Sequence, residues 1–308
     1  MLDQLYDNFD QQSEQLSGHD QSYTQLSPGA FRGRFLSAFL GPQIALHMEI
    51  CNQAMEQEVG GSAGHFSLGV VLNDGPPFLL NGQTMGPGDV LVLPPGGALH
   101  MVSPAGGAIL AVSIDTSALL THPGLAAPVA DWLAGLHCAA GLLSAPSLAA
   151  RLREDAASAL ESAKGTELEA EVLGHALLSG IVSKLSLDWR PAIHAQTQFS
   201  PASFGRFNHF RSQINAAIPD LERPSQIDAP RRSVEHAFAR HLSVGPLTYL
   251  RILRLHSVKR RLLDPTKAHL TIGDIAAENG FWDWSRFSNQ YRKHFGELPS
   301  VTRKRLTS

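Results

Sequence analysis

The 308-residue chain contains only two cysteines, Cys51 and Cys138, and their separation fits none of the spacings of zinc-binding motifs. Two thiols in a chain of this length are typical of a reducing cytoplasm, with a disulfide between them as the alternative. The chain also lacks an apolar run of the ~20 residues that a membrane-spanning helix needs. Its start, MLDQLYDNFDQQSEQL, lacks the basic residues of a signal peptide. The sequence therefore predicts a soluble, cytoplasmic protein.

Positive charge is scarce in the first two thirds of the chain. Before Ser200 there are 7 Lys and Arg residues against 19 Asp and Glu, whereas from Ser200 onward there are 18 against 9. The formal net charge of −3 therefore hides an acidic region followed by a basic one. A basic C-terminal third is what neutralisation of DNA phosphates requires, while the acidic part would be repelled by DNA. The length allows two domains, each with its own core.

The stretch from Thr271 to Arg303 predicts a short helix, a tight turn and a second helix. Thr271 is placed to cap the first helix, with Asp274 in the capping-box position. Ala276 is small enough to let the next helix cross closely, and Gly280 supplies a turn conformation that residues with a Cβ resist. These features together predict a helix-turn-helix.

The second helix is predicted from Asp283 to about His294. One face carries three aromatic residues four apart, which predicts a buried stripe: Phe287, Tyr291 and Phe295. The other face carries the candidate DNA-contacting residues Ser285, Ser288, Asn289 and Arg292. Trp284 is a further candidate, for a sugar or a thymine methyl, and the alternative is that it covers the core of the domain. Short polar side chains followed by an arginine suit the major groove of DNA.

The block GDIAAENGFWDWSRFSNQYRKHFGELPSVTRKR resembles the signature of AraC/XylS-type transcription regulators. The matching positions are, in order, Ile275-Ala276, Gly280-Phe281, Phe287, and the Gly296, Pro299 and Arg303 of a terminal G-x-x-P-x-x-x-R. The resemblance covers roughly the last third of the chain. It implies a double helix-turn-helix domain that binds promoter DNA, a sensor domain that binds a small effector, and a homodimer.

By the same resemblance, residues 231–240 form the recognition helix of the first motif and residues 246–263 a connecting helix. The outward positions of that recognition helix are predicted to contact bases or phosphates: Arg231, Arg232, Glu235 and His236. The helix that should precede Pro230 is missing, since a helix needs at least ~8 residues and too few lie between Asp228 and Arg231. Either the first motif is truncated, or a segment is omitted, which predicts a chain break beside Ala229.

Short apolar runs separated by Gly, Pro and Asn predict strands over residues 31–115, including a type I′ hairpin at Asn81-Gly82. The segment PGDVLVLPPGGALH resembles the second half of a cupin-type β-barrel. The predicted fold class is α+β. The predicted domains are a flexible arm over 1–27, a cupin-like effector-binding barrel over 28–123, a helical linker or dimerisation region over 124–197, and an AraC-type DNA-binding domain over 198–308.

Metal binding is not expected, because His47, His65 and His100 do not reproduce the H-x-H…E cluster of metal-binding cupins; no cofactor is expected either. An organic effector is favoured instead, since barrel mouths bind small ligands. Arg32 and Arg34, the only Lys or Arg residues before Arg151, are the candidate effector-binding residues. They suit a small acid or a cyclic dinucleotide, which some AraC-type sensors use. The alternative is that they pair with surface acids such as Glu49 or Asp89.

No paired carboxylates, Ser/His/Asp order or metal-binding cluster is evident, so the chain is predicted not to be an enzyme. The sequence is therefore interpreted as that of a sequence-specific transcription regulator controlled by a small effector. The alternative is an effector-binding cupin-like protein, or a cupin enzyme, whose DNA reader is impaired by the gap near Ala229.

Overall fold

The computed structural model describes residues 1–15, 20–136, 140–162, 166–188, 201–216 and 229–306. The chain forms two compact units. The first unit comprises Met1–Tyr23 and Arg32–Phe199, and the second comprises Thr24–Phe31 and Ser200–Ser308. The short segment 24–31 therefore belongs with the C-terminal region of the chain.

The strands form two antiparallel sheets, one of seven strands in the order β1-β3-β4-β11-β6-β9-β12 and one of five in the order β2-β5-β10-β7-β8. Their bounds are β1 Leu2–Tyr6, β2 Asp20–Gln25, β3 Gly33–Phe39, β4 Ile44–Cys51, β5 Met55–Gly60, β6 His65–Val71, β7 Phe78–Leu80, β8 Gln83–Met85, β9 Asp89–Leu93, β10 Ala98–Ser103, β11 Gly107–Asp115 and β12 Gly141–Ser144. The predicted strand-rich domain is confirmed, but its two sheets are not a closed barrel.

The seven-stranded sheet is covered on one face by helices. The helices of the first unit are α1 Phe9–Ser13, α2 Thr116–Leu120, α3 Ala127–Gly135, α4 Pro146–Ser162 and α5 Glu167–Asp188. Even-numbered strand residues such as Leu46 and Val112 belong to one buried core together with Leu177 and Ile181 of α5. Among the described helices, only α5 is long and apolar enough to cross a membrane. Its buried residues, however, belong to the core of the first unit.

Residues 1–27 contain β1, α1 and β2, so the predicted flexible arm is wrong where the chain is described. The strand β1 pairs with β3 from Leu2↔Ser37 to Tyr6↔Gly33. Tyr6, Phe9 and Tyr23 are buried and anchor this region. In the sequence they are scattered among many glutamines, so the region has a polar composition despite its buried aromatic residues.

The expected hairpin is confirmed at Asn81 and Gly82, whose φ angles of 48° and 81° allow Leu80 to pair with Gln83. The sequence predicts helix at 141–144, but β12 forms there and pairs with β9. The apolar run at 141–144 is too short for its spacing to distinguish a buried strand from a helix.

The second unit is helical in its described residues from 201 onward. Its helices are α6 Pro201–Ala216, α7 Arg231–Leu242, α8 Pro246–Leu263, α9 Ile272–Ala277, α10 Trp284–Phe295 and α11 Pro299–Lys304. The chain runs without interruption through Ala229 and Pro230 into α7, where the Ser233 amide donates to the Pro230 carbonyl at 2.8 Å. The described chain shows no break between Ala229 and Arg231, and Asp228, on the other side of Ala229, lies outside the described residues.

Two further predictions fall on residues that the structure does not describe. The helix start expected at Ile227 and Asp228 lies within 217–228, outside the described residues. The end of the predicted linker or dimerisation region, residues 189–197, lies outside them too. Cys51 is a buried free thiol, and Cys138 is likewise outside the described residues.

The turn before α10 has the predicted local chemistry. The Thr271 hydroxyl accepts from the Asp274 amide at 3.1 Å, while the Asp274 carboxylate accepts from the Thr271 amide at 3.0 Å. Gly280 has a φ of 80°, and Ala276 is buried at the crossing. The capping box fixes where α9 begins, and the turn at Gly280 separates the end of α9 from the start of α10.

Candidate nucleic-acid interface and ligand cavity

Helix α10 is held in place by the aromatic stripe that its sequence predicts. Phe287, Tyr291 and Phe295 are buried, and the Tyr291 and Phe295 rings lie 4.7 Å apart, centre to centre. At the N-terminus the Asp283 carboxylate accepts from the Arg286 amide at 2.9 Å, and at the C-terminus Gly296 has a φ of 75°. A helix capped at both ends presents its outer face in a defined orientation.

The structure brings three of the predicted DNA-contacting residues of α10 together on its outer face: Ser285, Asn289 and Arg292 are exposed. Because an α-helix turns by about 100° per residue, Asn289 lies nearly opposite the buried stripe, with the other two beside it. Ser288 is half-buried at the edge of this face. Trp284 is exposed, with its ring 5.6 Å from that of Phe287.

Three residues near this face were missed by the sequence analysis. Trp282, which the sequence suggested as a core or rim residue, is 79% exposed. Arg286 and Lys293 are exposed on the flank of the outer face opposite Ser288. Extending the helical periodicity to every outward position, rather than to the short polar residues alone, would have identified both cations.

Helix α7 places the four other predicted contact residues on its exposed side. Val234 and Phe238 are buried, whereas Arg231, Arg232, Glu235 and His236 are exposed. The Arg231 Nε donates to Glu235 Oε1 at 2.8 Å, an exposed pair one helical turn apart. Arg232 and His236, also one turn apart, lie farther from the buried side of the helix.

Arg303, which closes the signature, points into the second unit. Its half-buried guanidinium donates to the Leu262 carbonyl at 3.2 Å and to the Lys267 carbonyl at 3.0 Å, with further bonds to the carbonyls of Ala268 and Leu270. These carbonyls lie at the end of α8 and in the loop before α9. Arg303 therefore fastens α11 to the scaffold of the second motif.

The segment 24–31 packs against the end of α10. The fully buried Gln25 side chain donates to the His294 carbonyl at 2.8 Å, and the Gly29 amide donates to the same oxygen at 3.0 Å. His256 of α8 contacts the Gln25 carbonyl at 3.2 Å. Burial lowers the pKa of His294 to about 4, and burial followed by the charge of His294 lowers the pKa of His256 well below its usual value. Both imidazoles are therefore neutral near pH 7.

A cavity of about 600 Å³, including its mouth, lies between the two sheets of the first unit. All its lining residues carry odd numbers, because alternate residues of a strand face the same side of a sheet. Most of the wall is apolar and comprises Phe35, Val59, Leu91, Leu93, Leu99, Met101, Ile109 and Ala111. The polar residues of the wall are Gln21, Tyr23, His47, Glu49, Gln57, Ser67 and Ser113.

Neither arginine predicted to bind an effector lines this cavity. Arg34 is exposed and forms a two-pronged pair with Asp3, at 2.9 Å from Nε and 2.8 Å from the terminal nitrogen. Arg32 is also exposed, and its backbone amide donates to the Asn52 side chain at 2.7 Å. Glu49, suggested as a surface partner for these arginines, is 9% exposed and lines the cavity instead.

Neutral donors surround the Glu49 carboxylate. One oxygen accepts from the Gln12 side-chain amide at 2.8 Å, and the other accepts from the Gln57 side-chain amide at 3.1 Å. Burial raises the pKa of Tyr23 well above its usual value, and the negative charge of Glu49 raises it further. Burial and then Glu49 likewise raise the pKa of the Cys51 thiol. Both groups therefore remain protonated beside the carboxylate.

The three histidines considered as metal ligands have separate surroundings. His100 contacts Glu56 at 2.8 Å, His65 contacts the Ser62 hydroxyl at 3.1 Å, and His47 contacts the Ser37 hydroxyl at 3.0 Å. Within the described parts of the chain, no three His, Cys, Asp or Glu residues are grouped closely enough to hold a metal ion.

Comparisons with known proteins bear on the C-terminal part of the chain. Residues 225–305 match a family model described as "Helix-turn-helix domain". The chain is 36% identical over 130 residues to XylDLEGF operon transcriptional activator 3 of Pseudomonas putida, covering 41% of this chain and 39% of that protein. It is 30% identical over 102 residues to the HTH-type transcriptional activator RhaS of Pectobacterium atrosepticum, covering 33% and 34%.

These matches span roughly two fifths or less of the length of the curated relatives. Among solved structures, the AraC-like transcriptional activator CuxR aligns with 90% of this chain and 99% of its own, with a TM-score of 0.44 and 17% identity.

Proposed function

We propose that this chain, whose residues 225–305 form a helix-turn-helix domain of the AraC/XylS type, is a sequence-specific DNA-binding transcription regulator. The observation that carries the proposal is the outer face of α10, where Ser285, Asn289 and Arg292 are exposed together while the aromatic stripe fixes the helix. Such a face matches the donors and acceptors at base edges in the major groove. Promoter recognition of this kind takes place in the cytoplasm.

The outward residues of α10 and α7 are proposed to contact different parts of the DNA. Asn289, central on α10, reads a base edge, because an amide can donate and accept at one adenine. Arg292 and the two missed cations, Arg286 and Lys293, contact phosphates. On α7, Arg232 and His236 face the DNA, while Glu235 accepts from a cytosine amine or holds Arg231 in place. Trp284, with Ser285 and Ser288, contacts sugars or a thymine methyl at the edge of the groove.

Control by a small effector is the second part of the proposal. The cavity between the sheets has the largely apolar wall, with a few polar groups, of a small-molecule site. An effector changes DNA binding only by its difference in affinity for two arrangements of the protein. A homodimer would place its readers on successive turns of the major groove, about 34 Å apart.

The decisive experiment is a gel-shift titration of the full chain with its own upstream region at two salt concentrations. Asn289→Ala is expected to weaken binding by about 1–3 kcal/mol at one base pair and to relax specificity there. Arg292→Ala is expected to weaken all sequences and to reduce the salt slope by about 1. Arg151→Ala, the same charge change at an exposed position of α4, serves as the control and is expected to leave both quantities unchanged. Failure of the wild-type chain to bind duplex DNA at low salt, with or without cell extract, would rule the proposal out.

A further inference from the structure

The wall of the cavity has an unusual charge for a site that the sequence assigned to an acid. Among the described lining residues, Glu49 is the only carboxylate, and no lysine or arginine accompanies it. Arg34, the nearest candidate in sequence, pairs with Asp3 on the surface instead. An anionic ligand in this cavity would therefore meet a negative charge and no cation in the wall.

The polar atoms around Glu49 also favour a ligand that donates hydrogen bonds. Among the described residues, the carboxylate receives neutral donors: the side-chain amides of Gln12 and Gln57, the Cys51 thiol and the Tyr23 hydroxyl. The Gln12 side-chain oxygen is buried and has no hydrogen-bond partner in the described structure. A buried carboxylate without a cation, beside an unsatisfied carbonyl, is destabilising unless a donor or a positive charge compensates it.

We infer that the cavity binds a small apolar amine, with its ammonium group against Glu49 and its hydrocarbon body against Leu91, Leu99 and Ile109. This inference rests on the proposed function, in which that cavity is the effector site. An ammonium group brings one positive charge and three donors, which matches a carboxylate that lines the cavity without a lysine or arginine beside it. The apolar wall can bury the hydrocarbon body of the ligand, because that part of the ligand needs no hydrogen-bond partner.

The test uses three matched sets of probes on the full chain without DNA, measured by calorimetric titration. The amines are benzylamine, 2-phenylethylamine and cyclohexylamine, the alcohols are the corresponding neutral compounds, and the acids are the corresponding carboxylates. At least one amine is expected to bind at least tenfold more tightly than its alcohol, and the acids are expected not to bind. An acid that binds more tightly than its matched amine, or failure of every amine to bind, would overturn the inference.

The variant Glu49→Gln tests whether Glu49 supplies the negative charge that binds the amine. It is expected to lower the affinity for the amine at least tenfold and to leave the affinity for the alcohol nearly unchanged. Glu58→Gln makes the same charge change on the exposed face of β5 and is expected to change neither. Unchanged amine affinity in folded Glu49→Gln would contradict the assignment. If that variant does not fold, the ranking of amine, alcohol and acid on the wild-type chain still decides the question.

Gel-shift titration separates this inference from the proposed function. DNA binding by a chain that takes up no amine overturns only the ligand class. Amine binding by a chain that ignores duplex DNA supports the ligand class and overturns the regulator. Arg34→Ala distinguishes the earlier acid hypothesis, because an acid held by that arginine would lose affinity in this variant whereas the amine would not.

Discussion

Asn289 and Arg303 belong to the same signature, yet their side chains have opposite surroundings. Asn289 is exposed on α10, where its amide can meet a base edge. The Arg303 guanidinium is turned inward onto four backbone carbonyls. Periodicity predicts the first placement, because Asn289 falls opposite the aromatic stripe. It does not predict the second, since the acceptors of Arg303 lie 33 to 41 residues earlier in the chain.

Arg303→Ala is expected to lower the free energy of unfolding of the second unit by roughly 1–3 kcal/mol, because partly buried carbonyls lose their donor. Arg303→Lys is expected to rescue only part of this loss, since one ammonium cannot reproduce the planar fork. Urea denaturation of the full chain, with hydrogen exchange over residues 262–270, measures the effect. Unchanged exchange combined with weaker DNA binding would instead identify Arg303 as a phosphate contact.

The buried histidines give the second unit a pH dependence. The pKa of His294 is about 4 when folded and about 6.5 when unfolded, so the unfolded chain binds the extra proton between these values. Stability is therefore complete above about pH 6.5 and decreases by roughly 3 kcal/mol as the pH falls toward 4. His294→Leu removes this contribution, and exposed His236→Gln is the control. Hydrogen exchange over residues 284–306 at pH 7 and pH 5 tests it; an equal pH response in wild type and His294→Leu would contradict the assignment.

At the scale of the element, α10 is defined by its two ends as much as by its stripe. The sequence predicts a start at Asp283, after the turn at Gly280, and an end near His294; the helix runs from Trp284 to Phe295, with Asp283 and Gly296 as its caps. A second constraint on Gly296 comes from packing, because an added Cβ would lie 2.6 Å from the Ala30 Cβ and 2.7 Å from the Ala30 amide nitrogen. Segment 24–31 thus depends on this glycine, a relation that no local pattern could reveal.

Gly296→Ala is expected to destabilise the second unit by about 1–3 kcal/mol, because it combines a left-handed φ with a clash against the backbone of Ala30. Gly273→Ala is the matched control: its Cβ would meet nothing closer than 3.6 Å, within a helix. There the same substitution is expected to stabilise α9 by about 0.5–1 kcal/mol. Thermal unfolding of both variants measures the difference, and equal shifts in Tm would argue against the clash.

At the scale of the whole molecule, the helical spacing of the apolar residues over 168–185 predicts a stripe along α5, and the two ends of this stripe differ in burial. Leu177, Ile181 and Leu185 of the predicted stripe are buried against the seven-stranded sheet. Leu168 and Val172, one turn apart near the start of the helix, are exposed. The sequence left open whether this stripe forms an internal core or a dimer contact, and the exposed end is the part still available to a second subunit.

Leu168→Glu combined with Val172→Glu is expected to raise the dissociation constant of a homodimer at least tenfold, since charges replace apolar contacts at the interface. Leu187→Glu, at the other exposed end of α5, is the control and is expected to leave the dimer intact. Light scattering coupled to size-exclusion chromatography over a concentration series measures the effect. A dimer unaffected by the double variant would place its interface elsewhere.

The sequence by itself determined the strand-rich and helical halves, the hairpin at Asn81-Gly82, the ends of α10 and the face that it exposes. These features depend on alternation, helical spacing and turn chemistry, which act over a few residues. Tertiary structure alone decided that β1 and β2 join the sheets, that Arg34 lies outside the cavity, and that Glu49 lines it. Those outcomes depend on contacts between residues far apart in the chain, so that burial and pairing, rather than local pattern, placed each side chain.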